Sequence, residues 1–438
     1  MSGGLRTVIN PANSQVLGEV AECQDEDVAL AVTAAQHALP AWSALSEDDR
    51  YSTLQAASDA LQARSETLSA LLVAEGGLTQ REARATLAAA LTDLRYPSAN
   101  VPQRASAVRA VIGPASSPLL PIVRQVTAAL MAGDTAVVSP AKGAVLTNLA
   151  MGVVWAALPA GVVNVLAGEV AGGQRLAGHP GIQAISYTGS AAVAAALAQA
   201  GKPIEAWVGA ADVAIVRRDA DLDLAVRAIA WSRLRHGGRA CLSSRRIYVD
   251  SAIAQDFVVR LHEFVGLLEV DDPQNEASVL GPLGSPESAK ACEGRVVKSM
   301  REGARLVLGG FRFRPSGLKG SWLQPTILAD IQPGMLPLRE EMAGPVLAVA
   351  NFADDRELRA ALMAETDPVG LSVYGADVDD LCAWAAPIPA RAVWINVPQS
   401  DYAPPSAPGV RPTYRPAYAS GVVPDFFTLD PLRVWSLT

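Results

Sequence analysis

A single cysteine on a glycine-rich turn is the feature of this sequence best suited to covalent chemistry. The run Gly238-Arg239-Ala240-Cys241 follows a helix-like stretch and precedes a strand-like one. Glycine lets the backbone approach a substrate closely, so a cysteine on such a turn can act as a nucleophile. Taken alone, a free cysteine is more often a small buried apolar residue. We do not assign the nearby His236 to a Cys–His pair, because a lone histidine is usually structural.

A second turn could bind a phosphate group. Thr188-Gly189-Ser190 follows a short apolar run, Ala184–Tyr187, and opens a helical pattern, Ala191–Ala200. Backbone N–H groups and the helix dipole at such a turn favour an anion. An ordinary strand-to-helix turn explains the same residues equally well, since the motif is not a complete G-x-G-x-x-G.

Composition excludes several classes of protein. The chain has 438 residues, a formal net charge of −8 and 50 % hydrophobic residues, which excludes a disordered chain and a nucleic-acid binder that works through positive charge. The four cysteines are far apart and form no CxxC pair, so the sequence suggests neither a disulfide framework nor a metal site. No signal peptide or membrane-spanning apolar run is visible, and we expect a cytoplasmic protein.

The order of the elements indicates an α/β fold. Residues 25–95 show helical spacing, and from Val108 short β-branched runs alternate with apolar helices. This rhythm is typical of right-handed crossovers on a parallel sheet, which binds ligands at the carboxyl ends of its strands. A second α/β portion starts near His236, and a proline-rich tail, predicted to be extended or looped, covers 404–438.

Taken together, the motifs resemble those of the NAD(P)-dependent aldehyde dehydrogenase superfamily, from about Val8 to about Trp435. Many anchors in the correct order are more specific than any one of them. The anchors are Asn10-Pro11-Ala12, Val111-Ile112-Gly113, Ala132–Ala141, Pro159–Val165, Tyr187–Ser190, Gly238–Cys241, Leu308-Gly309-Gly310, Gln324–Leu328, Glu340–Val346 and Val393–Asn396.

The resemblance implies an oxidoreductase with a catalytic cysteine. Cys241 stands at the position of the family's nucleophile, which attacks an aldehyde to give a thiohemiacetal. Hydride then leaves to NAD or NADP, and water activated by a glutamate hydrolyses the thioester. The resemblance also implies that the backbone N–H of Cys241 and an asparagine side chain stabilise the oxyanion.

The chain departs from the family pattern at catalytic positions. Ser116 matches the family's oxyanion asparagine, and its hydroxyl is a shorter donor. Trp207 occupies the position of the base glutamate, and an indole cannot take a proton from water. Glu205 could supply the carboxylate if the loop that we expect there bulges by two residues; otherwise it is a solvated loop charge. Glu340 is a further candidate base.

The cofactor positions are partly changed. The resemblance assigns dinucleotide binding to Ser139, Lys142, Gly189, Ser190 and Glu341. The family's lysine and glutamate, which grip the adenosine ribose, are here Ser139 and Lys142. Losing a carboxylate and gaining an ammonium group favours a 2′-phosphate and hence NADP, although the site could also have lost dinucleotide binding. Glu341 keeps the family's ligand to the nicotinamide ribose, while the family's neighbouring phenylalanine is Ala343.

The expected architecture follows from the resemblance. A dinucleotide-binding domain with a Rossmann-like sheet spans 1–235, a catalytic α/β domain spans 236–403, and the proline-rich tail spans 404–438. Residues 97–107 form a shortened oligomerisation segment, so we expect a homodimer, or a hetero-oligomer with another aldehyde dehydrogenase subunit, rather than the family's tetramer. We expect no nucleic-acid or membrane partner.

Three functions stay open at this point. The first is NAD(P)-dependent oxidation of a small-molecule aldehyde through Cys241. The second is a catalytically impaired subunit that acts as a structural partner, because the family's asparagine, base glutamate, lysine and phenylalanine are all replaced, by Ser116, Trp207, Ser139 and Ala343. The third is transfer of the acyl group to coenzyme A, in which a thiol replaces water and no base glutamate is needed.

Overall fold

A computed structural model of the protein divides the chain into two compact units, Met1–Val208 and Gly209–Thr438. The division falls earlier than the boundary predicted at 235/236, because the strand and the long helix that precede Cys241 belong to the second unit. The described residues are 4–97, 105–114, 116–167, 170–208, 212–364, 370–390, 392–399 and 426–427.

The first unit begins with a hairpin and four helices and continues with alternating strands and helices. Its elements are β1 (Leu5–Ile9), β2 (Val16–Ala21), α1 (Asp25–Ser43), α2 (Glu47–Ala63), α3 (Ser65–Ala74), α4 (Gln80–Arg95), β3 (Val108–Ile112), α5 (Leu120–Met131), β4 (Thr135–Ser139), α6 (Val145–Trp155), β5 (Val163–Val165), α7 (Val170–Gly178), β6 (Ala184–Gly189), α8 (Ala191–Ala198) and β7 (Ile204–Val208).

Local signals start the helices of this unit. Ser46 caps α2 by accepting a hydrogen bond from the N–H of Asp49 at 3.1 Å, at the spacing that predicted it. Thr79 and Glu82 form a reciprocal capping box at the start of α4. Both contacts satisfy N–H groups that the first turn of a helix leaves without a partner.

The sheet of the first unit has the strand order β5-β4-β3-β6-β7, and its strands pair in parallel. This is the order of a Rossmann-type sheet: the chain runs outward from β3 in one direction and then resumes at β6 on the other side. The fold class predicted from the sequence is therefore confirmed. The carboxyl ends of β3 and β6 border the point where the direction reverses, which is the usual ligand site of such a sheet.

The second unit contains a larger sheet with the order β10-β11-β12-β9-β8-β13-β14-β15; β10 pairs antiparallel with β11, and the other neighbours in its described part are parallel. Its elements are β8 (Val213–Val216), α9 (Leu222–Gly238), β9 (Arg246–Asp250), α10 (Ala254–Gly266), α11 (Pro286–Arg301), β10 (Arg305–Leu308), β11 (Thr326–Ile331), α12 (Leu336–Arg339), β12 (Val346–Phe352), α13 (Asp355–Ala364), β13 (Gly370–Tyr374), α14 (Val378–Ala385), β14 (Ala392–Ile395) and β15 (Phe426–Phe427).

Two predicted segments lie largely outside the described residues. Most of the shortened oligomerisation segment, 98–104, is not described, and of the proline-rich tail only Phe426–Phe427 is described, as strand β15 beside β14. Within the described parts of the chain, no helix combines the length and the apolar character that crossing a bilayer requires.

We expect Glu75 to be a stability determinant of the first unit. Its buried carboxylate accepts hydrogen bonds from the N–H groups of Leu146 and Thr147 at 2.9 and 2.8 Å and from the Thr147 hydroxyl at 2.8 Å, which caps α6. Glu75→Ala leaves these donors buried without an acceptor, at a cost of roughly 2–4 kcal/mol in the free energy of unfolding. Urea denaturation measures the loss.

The control for this substitution is Glu66→Ala, which removes an exposed first-turn glutamate from α3. Since Glu66 lies at the surface, we expect its removal to change the free energy of unfolding by about 0.5 kcal/mol or less. Equal stabilities of the two variants would show that the Glu75 contacts do not cap α6 in solution.

Candidate functional site

The turn that carries Cys241 is formed by an abrupt end to helix α9. His236, Gly237 and Gly238 have positive φ angles of 53°, 66° and 73°, so the chain leaves the helix in the left-handed region. A Cβ atom on Gly238 would lie 2.1 Å from the carbonyl oxygen of Gly344, so only glycine allows this approach of two backbones. Cys241 follows, buried at 9 % exposure, just before β9.

Buried arginines hold the carbonyl groups of this turn. Arg233 Nη1 donates to Gly238 O at 2.7 Å, and Arg235 Nη2 donates to Leu242 O at 3.0 Å. Arg245 Nη2 donates to Ala240 O at 3.2 Å. Because each guanidinium presents several N–H donors in a fixed plane, the three side chains restrain the turn as a framework. None of these arginines was identified from the sequence.

Glu341, predicted to bind the cofactor, lies against the same turn. Its carboxylate pairs with Arg245, with Nη1 2.8 Å from Oε1, and its carbonyl accepts from Arg295 Nη1 at 2.9 Å. At the start of β12, Arg233 Nε donates to Val346 O at 2.8 Å. The structure therefore brings Cys241 and Glu341 together within the second unit, through Arg245.

A third group of this kind beside the turn is the carboxylate of Asp212, which was not identified from the sequence. Its fully buried carboxylate accepts a hydrogen bond from the N–H of Ser243 at 3.0 Å. Burial raises its pKa from 3.8 to about 6, while the charges of Arg245 and Arg246 oppose the shift. The available signal was a lone carboxylate directly before the apolar strand β8.

The three groups share one edge of the sheet. Asp212 precedes β8, Cys241 precedes β9 and Glu341 precedes β12, and these strands are parallel neighbours. The candidate nucleophile therefore lies at the amino-terminal ends of the strands, opposite to the edge at which ligands usually bind a parallel sheet.

The other cysteines lie in surroundings that disfavour a thiolate. Burial is the largest cause and raises the pKa of Cys292 to about 11, although the charges of Arg233 and Arg295 oppose the shift. Burial also raises the pKa values of Cys23 and Cys382. A protonated thiol is a poor nucleophile, so these three cysteines are unsuited to covalent catalysis near neutral pH.

The predicted cofactor residues of the first unit lie at the carboxyl edge of its sheet. Ser139 ends β4 and is buried, and Lys142 follows it in an exposed turn before α6. Gly189 ends β6, and Ser190 caps α8. Ser116, the predicted oxyanion donor, follows β3 in the same unit. The structure thus groups these five residues at the edge where a Rossmann-type sheet binds nucleotides.

Tyr187 explains why glycine stands at position 189. The Tyr187 hydroxyl donates to Ser190 O at 3.2 Å, beneath the turn that opens α8. A Cβ atom on Gly189 would lie 2.1 Å from that hydroxyl oxygen. The turn therefore packs closely against Tyr187 of the sheet, and the amino terminus of α8 lies at the carboxyl end of β6.

The loop expected around Glu205 is a strand, and this expectation was wrong. Ile204–Val208 forms β7 and pairs with β6 in continuous register, with Ser186 opposite Glu205 and Thr188 opposite Trp207. No bulge interrupts this pairing. The Glu205 carboxylate lies 3.4 Å from Arg109 Nη1 and accepts from the Ser186 hydroxyl at 3.4 Å. Its assignment as a base stays a prediction that these contacts do not support.

Glu340, the other candidate base, is a surface carboxylate at the end of α12. It lies 3.9 Å from Arg295 Nε and 4.0 Å from Lys298 Nζ, and its side chain is 42 % exposed. Both contacts are long and exposed to solvent, so they restrain the carboxylate only weakly. Glu340 also stays a prediction.

Comparison with known proteins identifies the family. The sequence model of the aldehyde dehydrogenase family matches residues 2–411. The chain belongs to this family. Lactaldehyde dehydrogenase of Escherichia coli (strain K12) is 33 % identical over 396 residues, with 84 % of this chain and 82 % of that protein covered.

Two further relatives concern cofactor use. Succinate-semialdehyde dehydrogenase [NADP(+)] of Deinococcus radiodurans is 29 % identical, with 90 % of this chain and 87 % of that protein covered. A crystal structure of PnpE in complex with nicotinamide adenine dinucleotide matches with a TM-score of 0.85 and 26 % identity, covering 91 % of this chain and 87 % of that one. The proteins to which this chain is similar thus include an NADP(+) enzyme and a protein that binds nicotinamide adenine dinucleotide.

We expect the charge of Asp212 to lower stability as pH rises. Its pKa is higher in the folded protein, about 6, than the ordinary 3.8, so the folded state binds the proton more tightly. The contribution of Asp212 to stability is therefore greatest below pH 4, falls between pH 4 and 6 and is then constant, with a total loss of about 3 kcal/mol from this group.

Asp212→Asn tests this linkage, because asparagine keeps an oxygen that can accept from Ser243 and removes the charge. Denaturant unfolding from pH 4 to 8 should show a smaller loss of stability in the variant than in the wild type. The matched control is Asp256→Asn, which removes a carboxylate from an exposed ion pair with Arg260. Parallel pH profiles for wild type and Asp212→Asn would contradict the burial effect.

Proposed function

We propose that the protein oxidises a small-molecule aldehyde with NAD or NADP, with Cys241 as the nucleophile. The observation that carries the proposal is the restrained turn of Cys241, joined to Glu341 by Arg245 within the second unit. Membership of the aldehyde dehydrogenase family supports the same activity. The roles given below to individual residues belong to this proposal.

The residues of the first unit fit a dinucleotide. The strand order places the ends of β3 and β6 at the reversal point, and the short Gly189–Ser190 turn exposes the amino terminus of α8 there. Peptide N–H groups at a helix start suit a pyrophosphate. Ser139 and Lys142 would hold the adenosine ribose. The assignment of Glu341 to the nicotinamide ribose stays a prediction from the sequence. When bound, the dinucleotide supplies a hydride acceptor.

Cys241 carries out the first half of the reaction. Its thiolate attacks the aldehyde carbon, so a carbon–sulfur bond forms and the carbonyl π electrons move onto the oxygen. The backbone N–H of Cys241 donates a hydrogen bond to that oxyanion. The assignment of Ser116 as a second donor stays a prediction from the sequence. When the oxyanion collapses, the carbonyl re-forms, hydride leaves the carbon, and a thioester of Cys241 remains.

The second half of the reaction needs a nucleophile to release the acyl group. Glu205 is held by Arg109, and Trp207 has no group that accepts a proton from water. These contacts favour, as a second candidate, transfer of the acyl group to coenzyme A, since a thiol exchanges with a thioester without a carboxylate base. Strict dependence of product formation on added coenzyme A would distinguish transfer from hydrolysis.

The role as a structural partner subunit, the cellular location and the oligomeric state stay predictions from the sequence. A structural subunit would bind no dinucleotide and would be found in a complex with another aldehyde dehydrogenase. A cytoplasmic location and a homodimer or hetero-oligomer are likewise proposed. The aldehyde itself is best sought among small polar compounds, since the relatives named above act on lactaldehyde and succinate semialdehyde.

We expect turnover to depend on Cys241. Reduction of NAD or NADP, followed by absorbance with a panel that includes lactaldehyde and succinate semialdehyde, should occur with the wild type and fall at least about 1,000-fold in Cys241→Ala, because the covalent step is lost. Cys292→Ala, which removes a buried thiol with a raised pKa, is the matched control and should keep its activity.

The result that would overturn the dehydrogenase proposal is specific. If neither dinucleotide binds by calorimetry and no aldehyde is oxidised, the protein is a structural member of the family. If a dinucleotide binds but no aldehyde is oxidised, the missing component is an acyl acceptor, and the assay is repeated with coenzyme A.

We propose that NADP is preferred over NAD through the exposed ammonium group of Lys142. Lys142→Glu places a like charge near a 2′-phosphate, and the Kd for NADP should rise about tenfold while that for NAD changes little. Calorimetric titration measures both constants. Lys290→Glu makes the same charge change on an exposed face of α11 and serves as the control. A fall in NAD affinity alone would contradict the preference.

A further inference from the structure

Arg245 is the residue through which the nucleophile turn and the Glu341 loop contact each other. Its side chain is 8 % exposed and has acceptors on every side. Nη2 lies 3.2 Å from Ala240 O and 3.5 Å from Cys241 O, Nε lies 3.4 Å from Ser243 Oγ, and Nη1 lies 2.8 Å from Glu341 Oε1. The guanidinium group is thus held at each of its three nitrogens.

The contact with Ala240 O determines the direction of the Cys241 N–H. The carbonyl oxygen of Ala240 and the N–H of Cys241 belong to the same planar peptide group. In a trans peptide the N–H points away from the C=O. A donor that holds Ala240 O therefore fixes the line along which the Cys241 N–H can donate. The Cys241 N–H is the backbone donor that the proposed function assigns to the oxyanion.

The contact with Glu341 prevents the guanidinium group from rotating. A single hydrogen bond to Ala240 O would leave the plane free to turn about the Nη2–O direction. The charged pair with Glu341 and the contact of Nε with Ser243 fix the other two corners of the group. A lysine could carry the charge but could not hold all these acceptors in one plane.

We propose that Arg245 is a positioning residue that preorganises the Cys241 N–H as an oxyanion donor. The proposal rests on the proposed function in two respects, the identity of Cys241 as the nucleophile and the role of its N–H as an oxyanion donor. Arg245 acts through the Ala240–Cys241 peptide and does not itself touch the reacting atoms.

Two reactions of the same thiol separate this role from others. Acylation by 4-nitrophenyl acetate passes through a tetrahedral oxyanion, whereas alkylation by iodoacetamide displaces iodide from a saturated carbon and forms no oxyanion. Both depend on the fraction of thiolate and on access to Cys241. The ratio of the acylation rate to the alkylation rate therefore reports the oxyanion donor alone, and neither reaction needs a dinucleotide.

The experiment measures this ratio in the full-length protein and its variants. The burst of 4-nitrophenol gives acylation, and peptide mapping by mass spectrometry gives alkylation of Cys241, with Cys241→Ala as the blank. The variants are Arg245→Met and the charge-conserving Arg245→Lys. The matched control is Arg235→Met, a buried arginine of the same turn that holds Leu242 O instead. Circular dichroism and thermal unfolding establish that each variant is folded.

We expect Arg245→Met to lower the ratio by about tenfold or more, up to the roughly 100- to 1,000-fold seen when an oxyanion donor is removed outright, and Arg245→Lys to restore part of it. Arg235→Met should leave the ratio at the wild-type value, whatever it does to the two rates. If Arg245→Met does not fold, a lowered ratio in Arg245→Lys supports the proposal and an unchanged ratio overturns it.

Other results would also overturn the positioning role. A fall in both rates with a constant ratio would assign Arg245 to thiolate stabilisation or to folding. An equal fall of the ratio in Arg235→Met would remove the link to the Ala240–Cys241 peptide. Failure of the proposed dehydrogenase function gives a different result, since no NAD(P)H would form while the ratio still depended on Arg245.

Discussion

The carbonyl groups of Gly238, Ala240, Cys241 and Leu242 lie between the end of α9 and the start of β9, so they need hydrogen-bond donors from elsewhere. Arg233, Arg235 and Arg245 supply those donors. Buried guanidinium groups in turn need acceptors, and a tight turn with its carbonyls directed inward provides them. The guanidinium groups therefore donate to the carbonyl groups of the turn. This explains how several buried cations lie beside a segment without regular structure that carries the Cys241 thiol.

This arrangement also explains the chemistry of the neighbouring residues. The close approach of Gly238 to Gly344 brings the loop after Glu341 against the turn. Arg245 links the two segments through its ion pair with Glu341. Asp212, below the turn, adds the acceptor for Ser243 N–H at the expense of burying a carboxylate, and the neighbouring Arg245 and Arg246 only partly offset that penalty. Hydrogen bonds and an ion pair from buried charged side chains therefore restrain the turn that carries Cys241.

Much of the fold could be predicted from local pattern. The β-branched runs at β3 and β4 and the apolar helix between them follow from periodicity, and the caps of α2 and α4 follow from residue type and spacing. Strand β7 could not be predicted in this way, because Glu205 interrupts a short apolar run and its partner Arg109 is far away in the sequence. The same reason hides Arg245 and Asp212. Their roles depend on contacts between β8, β9 and the Glu341 loop, and no spacing in the sequence indicates which elements become neighbours.

The departures from the family pattern fall unevenly on the two halves of the proposed reaction. Formation of the thioester needs a thiol, an oxyanion donor and a place for the dinucleotide, and the second unit keeps Cys241, the oriented peptide and Glu341. Release of the acyl group by water needs a base, and there the chain has Trp207, with Glu205 in an ion pair. A thioester that water attacks slowly is still reactive toward another thiolate, because that nucleophile is already deprotonated and the leaving group is the Cys241 thiolate itself. The retained half of the site is therefore compatible with either acceptor, and the rate of acyl release, rather than the rate of hydride loss, is the quantity that distinguishes hydrolysis from transfer.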